Sequence, residues 1–354
     1  MGGYWNTRRL FKSKINKKLM IKRVLIVGYG SIGKRHARLA RDLFPNAKII
    51  ILRHKASKKI KYQYVDYCVT NLIDAIKFKP QIAVIANPAS QHVNIAYPLA
   101  KLGVHLLVEK PISNSTKNVL KLVNMCKTKK SILMVGYNLR FLESLKKFRE
   151  VLKKDKIGKI LSIRSEVGSY FPSWRPDSDY KKSVSAIKEL GGGVLLELSH
   201  DIDYLVWLFG NVKWVSSTIH RQSDLKIDTE DIVHMTLCLS GVSKNRDIIA
   251  NLNMDFCRHD ATRFCKVIGK LGTLHWNAID GTIKLFKKDA KQWKTIYKNE
   301  VHRDSTYISE WKHFINCIKN NKKPIVSGKD GLEVIKIIEA IKRSSKTSSI
   351  VSLI

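Results

Sequence analysis

The chain is 354 residues long, more than one hydrophobic core usually supports, so its length predicts two domains. No apolar run is long enough to span a membrane or to form a secretory signal, and we expect a cytoplasmic protein. The formal charge of +36 suggests nucleic-acid binding, but the lysine-dominated bases are spread along the chain and match no nucleic-acid motif. We therefore interpret the charge as a lysine-rich surface that favours anionic substrates.

Residues 1–19 contain bases but no acids. Three interpretations stay open: a disordered basic arm, an upstream extension of a protein that begins at Met20, or, in a eukaryote, an organelle presequence. Beyond it we expect a dinucleotide-binding domain over residues 20–140 and a substrate and dimerisation domain over 141–354. The C-terminal helices of the second domain are candidates for packing back on the first.

The first element is an apolar run over Arg23–Val27, followed by Gly28-x-Gly30-x-x-Gly33 and a helical pattern that continues to Phe44. A strand, a glycine turn and a helix in this order are typical of a site that binds the pyrophosphate of a dinucleotide at the helix N-terminus. The alternative is a glycine turn without a ligand. The predicted contacts of this turn are Gly28, Gly30, Ser31, Ile32 and Gly33.

A second strand is predicted over Lys48–Leu52, and it is followed by Arg53, His54 and Lys55, with no acid between Lys48 and Ile60. An NAD site usually places an acid here, whereas bases suit the 2′-phosphate of NADP. We therefore expect NADP, with NAD as the alternative if these residues are merely surface bases.

Alternating strands and helices continue to residue 135, which predicts a doubly wound parallel sheet. The predicted strands cover about 65–70, 81–86, 105–111 and 132–135, and the helices about 72–78, 90–102 and 115–128. Loops at the carboxyl ends of parallel strands face the ligand in such sheets. The further cofactor contacts predicted on this basis and from the neighbouring motifs are Asn87, Pro88, His92, Glu109, Lys110 and Asn138.

After Arg140 the pattern changes to longer strands and fewer crossovers. A helix over about 142–152 precedes strands over about 160–167, 213–221, 232–239, 247–255, 263–269 and 273–276. These predict a mixed or antiparallel sheet with helices on one face and a second subunit on the other, hence a homodimer or homotetramer. Two helices, at about 307–320 and 331–345, are separated by a predicted turn at 327–330.

Five motifs occur in a fixed order: Gly28-x-Gly30-x-x-Gly33, Asn87-Pro88 with His92, Glu109-Lys110-Pro111, Asn138-x-Arg140, and Gly191-Gly-Gly193 with Glu197-Leu-Ser-His200-Asp-Ile-Asp203. With them, the chain from about Lys22 onwards resembles the Gfo/Idh/MocA oxidoreductase family. The resemblance implies an N-terminal Rossmann domain and a C-terminal α/β domain with a large open, mostly antiparallel sheet. It also implies that Lys110 hydrogen-bonds the reacting oxygen and that His200 exchanges its proton. Family members carry an Asp four residues before this histidine, whereas here Glu197 lies three residues before His200. Both spacings put the acid on the same helix face as the histidine, so Glu197 is a further catalytic candidate that can orient His200.

The residue chemistry agrees with these roles, because imidazole titrates near neutrality and a lysine at the end of a parallel strand faces ligands. The alternatives are a His200 held by Asp203 and a Lys110 at the surface. Asp201 is expected on the helix surface and Asp203 as a core partner that also comes within reach of the substrate.

An aromatic and basic loop over Ser169–Pro176 precedes the triple glycine. Its Trp and Arg can cover a sugar ring and bind an acidic group, although a loop packed on its own sheet is equally compatible. The predicted substrate residues are Arg140, Trp174, Arg175, Lys188 and Asp203.

We therefore expect an NAD(P)-dependent oxidoreductase of a sugar, cyclitol or nucleotide sugar, with an anionic substrate from surface-glycan precursor synthesis as a specific hypothesis. A reductase of a linear tetrapyrrole or an aromatic dihydrodiol is the second hypothesis. The third is a redox-sensing protein that binds nucleic acid. Six dispersed cysteines without Cys-x-x-Cys pairs indicate free thiols, and no metal site is predicted.

Overall fold

The structure is a computed structural model that describes residues 20–54, 62–241, 247–300, 302 and 304–353. The predicted basic arm and Lys55 lie outside these ranges. The chain forms two compact units. The first runs up to Ile112 and includes Lys117–Gly136 and Trp311–Lys329; the second consists of Ser113–Thr116, Tyr137–Glu310 and the chain from Asp330 onwards.

The first unit is built on a six-stranded parallel sheet in the order β3-β2-β1-β4-β5-β6, which confirms the predicted Rossmann-type sheet. The strands are β1 (Arg23–Val27), β2 (Lys48–Leu52), β3 (Tyr67–Val69), β4 (Ile82–Ile85), β5 (His105–Val108) and β6 (Leu133–Val135). The central strands are continuous apolar runs because helices cover both faces of such a sheet. Val27 pairs with Leu52 on one side and with Ile85 on the other. The strand order reverses between β1 and β4, and ligands bind at such a switch point.

Four helices connect these strands: α1 (Ser31–Leu43), α2 (Leu72–Lys77), α3 (His92–Lys101) and α4 (Val119–Thr128). The amphipathic α1 buries Ala37, Leu39 and Ala40 and exposes Lys34. The helix predicted from residue 115 begins only at Val119, because Asn118 takes a left-handed conformation with a φ of 61°.

The second unit contains a nine-stranded sheet in the order β14-β13-β12-β11-β7-β10-β9-β8-β15. Only the pair β7 and β10 is parallel, so the expectation of a mostly antiparallel sheet is confirmed. The strands are β7 (Ile160–Gly168), β8 (Val212–His220), β9 (Ile232–Leu239), β10 (Ile248–Asp255), β11 (Thr262–Gly269), β12 (Gly272–Asn277), β13 (Thr282–Lys287), β14 (Lys294–Lys298) and β15 (Val351–Ser352). The last three were not predicted.

Helices α5 (Glu143–Lys153), α6 (Val194–Glu197) and α7 (His200–Phe209) belong to the same unit. Trp276 of β12 joins two of them to the sheet: its indole donates to Ser144 Oγ at 3.0 Å, and its ring lies 5.3 Å from that of Tyr204. Side chains on the other face, such as Asn251, are exposed. The sheet is therefore one-sided.

Two C-terminal helices complete the fold, α8 (Ser305–Asn320) and α9 (Gly328–Thr347). The predicted turn at 327–330 is wrong, because α9 already begins at Gly328. A Cβ there would lie 2.5 Å from a methyl group of Leu133, so this glycine allows close packing instead of a turn. Among the described residues, no helix combines the length and the hydrophobicity that crossing a membrane requires.

Candidate active site

The glycine turn after β1 is packed tightly on its protein side and open above. Gly28 has a φ of 87°, and a Cβ there would lie 2.6 Å from the carbonyl oxygen of Ala86. A Cβ on Gly33 would lie 2.3 Å from the carbonyl oxygen of Gly28, so only glycine lets α1 approach the turn. A Cβ on Gly30 would meet nothing within 4 Å. The turn therefore has space for a ligand above Gly30.

The N-terminus of α1 opens into this space without a cap. Gly30 precedes the helix and provides no side-chain hydrogen bond, and the first turn contains no acid. The first N–H groups, including those of Ser31 and Ile32, have no partner within the helix, and the helix dipole makes this end partly positive. Space, free donors and polarity fit the pyrophosphate of a dinucleotide.

Arg53 follows β2 and is held by Tyr62. Its Nη1 donates to the Tyr62 hydroxyl at 2.8 Å, and the guanidinium carbon lies 5.2 Å from the ring centroid. Tyr62 also meets Tyr29 of the glycine turn edge to face, with the ring centroids 5.4 Å apart. Arg53 thus lies at the end of the second strand, next to the turn's own aromatic residue.

Asn87, at the end of β4, has an amide oxygen that is enclosed and has no hydrogen-bond partner among the described residues. An orphaned acceptor in this loop fits a donor from a bound cofactor. His92 is buried and joins two loops: Nε2 lies 2.7 Å from Asn87 O, and Nδ1 lies 2.9 Å from Pro111 O. Both ring nitrogens thus meet backbone carbonyls, so His92 ties the loops instead of offering a free nitrogen. Burial lowers the pKa of His92, against the effect of these carbonyls.

The loop after β5 holds Lys110 through its neighbour. Glu109 is 7% exposed, and its Oε2 accepts from the backbone N–H of Lys110 at 3.2 Å. Its Oε1 lies 2.7 Å from Nε2 of the buried His36. Glu109 was predicted to contact the cofactor, but protein donors already meet both of its oxygens. Lys110 itself is half-buried at the carboxyl end of β5.

In the second unit the triple glycine forms the turn into α6. Gly193 has a φ of 106°, and a Cβ there would lie 2.2 Å from Glu230 Oε1. The same oxygen accepts from Leu195 N at 3.2 Å, so Glu230 caps the first turn of α6. Burial raises the pKa of Glu230. At the other end of α6, Glu197 Oε2 accepts from Ser185 Oγ at 3.1 Å.

His200 is the first residue of α7 and is half-buried. Its ring meets Tyr137 edge to face, with the centroids 5.5 Å apart. The Tyr137 hydroxyl donates to Ser199 Oγ at 3.3 Å, and burial raises the pKa of this tyrosine. Tyr137 therefore fixes both His200 and the residue before it. Sequence reasoning did not predict Tyr137 as a site residue, although it lies between the predicted motif residues Gly136 and Asn138.

Two predicted substrate residues form a buried ion pair with each other. Arg140 Nε and Nη2 donate to the two carboxylate oxygens of Asp203 at 2.9 and 2.7 Å, and Nη1 lies 3.4 Å from Asp330 Oδ1. Asp203 is 0% exposed. Arg140 and Asp203 therefore support the fold around α7, and they are left out of the proposed substrate residues. Asp201 was expected on the helix surface, which is wrong: it is fully buried, with Oδ2 3.2 Å from Arg263 Nε.

Residues 22–137 match the profile described as the oxidoreductase family's NAD-binding Rossmann fold, and residues 149–353 match its C-terminal alpha/beta domain. The chain belongs to the Gfo/Idh/MocA oxidoreductase family. Inositol 2-dehydrogenase from Rhizobium meliloti is 26% identical over 335 residues, which cover 92% of this chain and 97% of the relative.

Two solved structures share the fold of this Gfo/Idh/MocA protein. Levoglucosan dehydrogenase in complex with NADH has a TM-score of 0.81 at 20% identity, covering 94% of this chain and 99% of that one. The WlbA dehydrogenase from Bordetella pertussis, in complex with NADH and UDP-GlcNAcA, has a TM-score of 0.75 at 19% identity with the same coverage. The family membership makes this protein an NAD(P)-dependent oxidoreductase.

Two further site residues predicted for this Gfo/Idh/MocA protein, Trp174 and Asn138, make contacts within the protein. Trp174 packs between Phe171 and Phe256 and donates to Ser169 Oγ at 2.6 Å, so it follows the alternative of a loop packed on its own sheet. Asn138 is buried, and its Nδ2 donates to Thr306 Oγ1 at 3.1 Å.

Two predicted substrate residues, Arg175 and Lys188, are exposed. Lys188 N donates to Asp228 Oδ1 at 2.7 Å, and Asp228 lines an open cavity of about 490 Å³. The cavity is also lined by three bases, Lys181, Arg221 and Lys226, and by a second acid, Asp224.

Proposed function

We propose that the protein transfers hydride between a nicotinamide cofactor and a hydroxyl or keto carbon of a sugar, cyclitol or nucleotide sugar. The observation that carries this proposal is Lys110, half-buried at the carboxyl end of β5 in the sheet whose glycine turn fits a dinucleotide. The names of the similar proteins support it, since one is an inositol dehydrogenase and another was solved with a nucleotide sugar.

Three side chains are assigned roles in the chemistry. The nicotinamide supplies the hydride chemistry when it is bound. Lys110 Nζ donates a hydrogen bond to the reacting oxygen and stabilises the charge that develops on it. His200 accepts the hydroxyl proton in oxidation and returns it in reduction. Glu197, three residues before His200, is assigned an orienting role toward His200, and its Oε2 also accepts from Ser185 Oγ.

We assign an anionic substrate to this site. Support comes from the exposed Arg175 and Lys188 and from the three bases in the cavity beside Lys188. Guanidinium and ammonium groups bind carboxylates and phosphates through charged hydrogen bonds. A sugar acid or a nucleotide sugar fits this charge, and precursors of surface glycans belong to that chemical class.

NADP is the proposed cofactor, with NAD as the alternative. Arg53 lies where the ribose hydroxyls of the adenosine half are bound in such sheets, and its guanidinium matches a 2′-phosphate. Replacing Arg53 with Asp is expected to weaken NADPH binding at least about tenfold and to leave NADH binding unchanged or stronger. Fluorescence titration with both reduced cofactors measures this. If the unmodified protein binds NADH as tightly as NADPH, the proposed preference for NADP is contradicted and NAD is the better assignment.

A panel assay tests the proposed function. Purified protein is titrated with NADPH and NADH, and with NADP+ or NAD+ as the hydride acceptor the oxidation of myo-inositol, levoglucosan and UDP-GlcNAcA is followed at 340 nm as the reduced cofactor forms. We expect saturable cofactor binding and turnover that is highest with the anionic probe. If neither cofactor binds, or if biliverdin is reduced while every sugar is inert, the proposed function is wrong.

The open face of the nine-stranded sheet supports a homodimer or homotetramer. Ile249 of β10 lies two residues from Asn251, on the same face of the strand, and is 38% exposed. Light scattering after gel filtration gives the mass directly. A monomer at micromolar concentration would contradict this proposal without affecting the catalytic one.

A further inference from the structure

A buried chain of hydrogen bonds in the first unit ends at the backbone of Lys110. Trp311 Nε1 lies 3.0 Å from His36 Nδ1, and His36 Nε2 lies 2.7 Å from Glu109 Oε1. Glu109 Oε2 then accepts from Lys110 N at 3.2 Å. Trp311 and His36 are 0% exposed and Glu109 is 7% exposed. We refer to Trp311, His36 and Glu109 as the Trp–His–Glu chain.

The chemistry of the Trp–His–Glu chain fixes the position of each proton. An indole nitrogen can only donate, so His36 Nδ1 must accept from Trp311. In the neutral ring the proton then lies on Nε2, which donates to Glu109 Oε1. The carboxylate of Glu109 accepts through both oxygens, one from His36 and the other from Lys110 N. A proton on His36 Nδ1 would face the indole N–H, so the arrangement selects a single tautomer.

Packing holds both ends of the Trp–His–Glu chain. The Trp311 ring lies between Phe44 and Phe314, with centroid distances of 6.3 and 6.2 Å. At the other end, a Cβ on Gly136 would lie 3.0 Å from Glu109 Oε2, so a glycine is needed beside the carboxylate. Aromatic rings thus flank Trp311, and Gly136 lies directly against the carboxylate of Glu109.

We propose that Trp311 and His36 are positioning residues of the reaction. Acting through Glu109, they fix the backbone of Lys110 and thereby the point from which its ammonium group reaches the substrate oxygen. This inference rests on the proposed function, in which Lys110 meets that oxygen. A displacement of about 1 Å at a reacting group can cost about 100-fold in rate, so a distant hydrogen bond can control turnover without touching the substrate.

A matched pair of variants tests the positioning role. In His36→Gln, the amide oxygen can accept from Trp311 and the NH₂ group can donate to Glu109, whereas His36→Leu can do neither. Trp311→Phe removes only the first donor and keeps an aromatic ring. We expect His36→Leu and Trp311→Phe to lower kcat at least about tenfold on the most active probe of the sugar panel. KM and the Kd of the reduced cofactor should change less than about threefold, and His36→Gln should stay near the unmodified protein.

Amide hydrogen exchange of Lys110 gives a second readout that does not need turnover. Its N–H should exchange at least about tenfold faster in His36→Leu and in Trp311→Phe, and at the original rate in His36→Gln. Amides of β6 serve as the control for a general loss of stability.

Unchanged exchange at Lys110 in both disruptive variants would overturn the positioning role, even if activity fell. If the unmodified protein turns over none of the sugars, the proposed function fails instead. The exchange rates then still decide whether the Trp–His–Glu chain holds Lys110.

Discussion

Lys110 connects the fold with the proposed chemistry. The buried carboxylate of Glu109 orients its backbone, and its own side chain is half-buried. Lys110→Met keeps the length of the side chain and removes its charge. We expect kcat/KM to fall about 10²- to 10⁴-fold while cofactor affinity changes less than about threefold. Stopped-flow turnover and fluorescence titration measure the two quantities. Lys121→Met, on the exposed side of α4, is the control and should retain full activity.

Arg140 and Asp203 form a buried ion pair, so losing one partner should cost stability. In Asp203→Asn the side-chain shape is kept, but the buried Arg140 loses the carboxylate charge that faces its Nε and Nη2, while Asp330 stays 3.4 Å from Nη1. Removing one partner of a buried ion pair costs about 3–5 kcal/mol, so we expect a loss of that size in the free energy of unfolding. Urea denaturation followed by circular dichroism measures it.

A control for Asp203→Asn is available on the surface of α5, where Lys147 and Glu150 are paired at 3.1 Å. Glu150→Gln should leave the urea midpoint almost unchanged, because exposed pairs contribute little. If Asp203→Asn also leaves the urea midpoint almost unchanged, the buried pair does not support the fold.

At the scale of elements, the glycine turn offers two substitutions with opposite expectations. In Gly33→Ala the new methyl group meets the Gly28 carbonyl, so both stability and cofactor binding should fall, the former by about 1–3 kcal/mol. In Gly30→Ala the methyl group meets nothing in the protein, so the melting temperature should be unchanged. It projects into the proposed ligand space, however, and should weaken NADPH binding at least about tenfold. Thermal unfolding and fluorescence titration separate the two effects, and unaltered binding in Gly30→Ala would exclude a ligand above the turn.

Several elements were predictable because their signal is local. The bounds of β1, β2 and β9 agree with prediction, since each is an apolar run between polar or turn residues. β14 carries no fully buried residue, so its alternation is too weak to indicate a strand.

The candidate site likewise has parts that the sequence predicts and parts that it does not. The turn at Gly28 and the loop at Lys110 follow from residues adjacent in the sequence. The bond from Trp311 to His36 joins residues 275 positions apart, and the Arg140–Asp203 pair spans 63. No spacing rule indicates such partners, because the folded sheet brings them together. For the same reason, the sequence predicted Arg140 and Asp203 as separate substrate residues and did not indicate that they pair with each other.

For the whole molecule, one buried and three half-buried histidines lower the stability at acid pH. Burial lowers the pKa of His92, His105, His275 and His313 below their ordinary value of 6.5. Below about pH 6.5 the unfolded chain therefore binds protons that the folded chain does not, so stability falls as the pH falls through this range. Glu230 has the opposite sign: burial raises its pKa, so the folded chain binds this proton more tightly and the contribution to stability is lost as the pH rises.

We accordingly expect the melting temperature to fall between pH 7 and pH 5.5. His92→Gln removes one titrating group and keeps a side-chain donor, so its melting temperature should depend less steeply on pH than that of the unmodified protein. Differential scanning calorimetry at several pH values measures both slopes. A flat profile for the unmodified protein would contradict the assignment of these histidines as buried or half-buried neutral groups.

The division of the chain between the two units has a consequence for how the protein is made. The first unit takes its strands from the early part of the chain but also contains Trp311–Lys329, and Trp311 donates to His36 and packs on Phe44. A ribosome adds residues in order, so the nascent chain emerges with the whole parallel sheet long before this segment exists. The first unit therefore waits, with part of its apolar surface uncovered, until Trp311–Lys329 has been translated. Chaperones have the longest access to the surface that Trp311 finally covers.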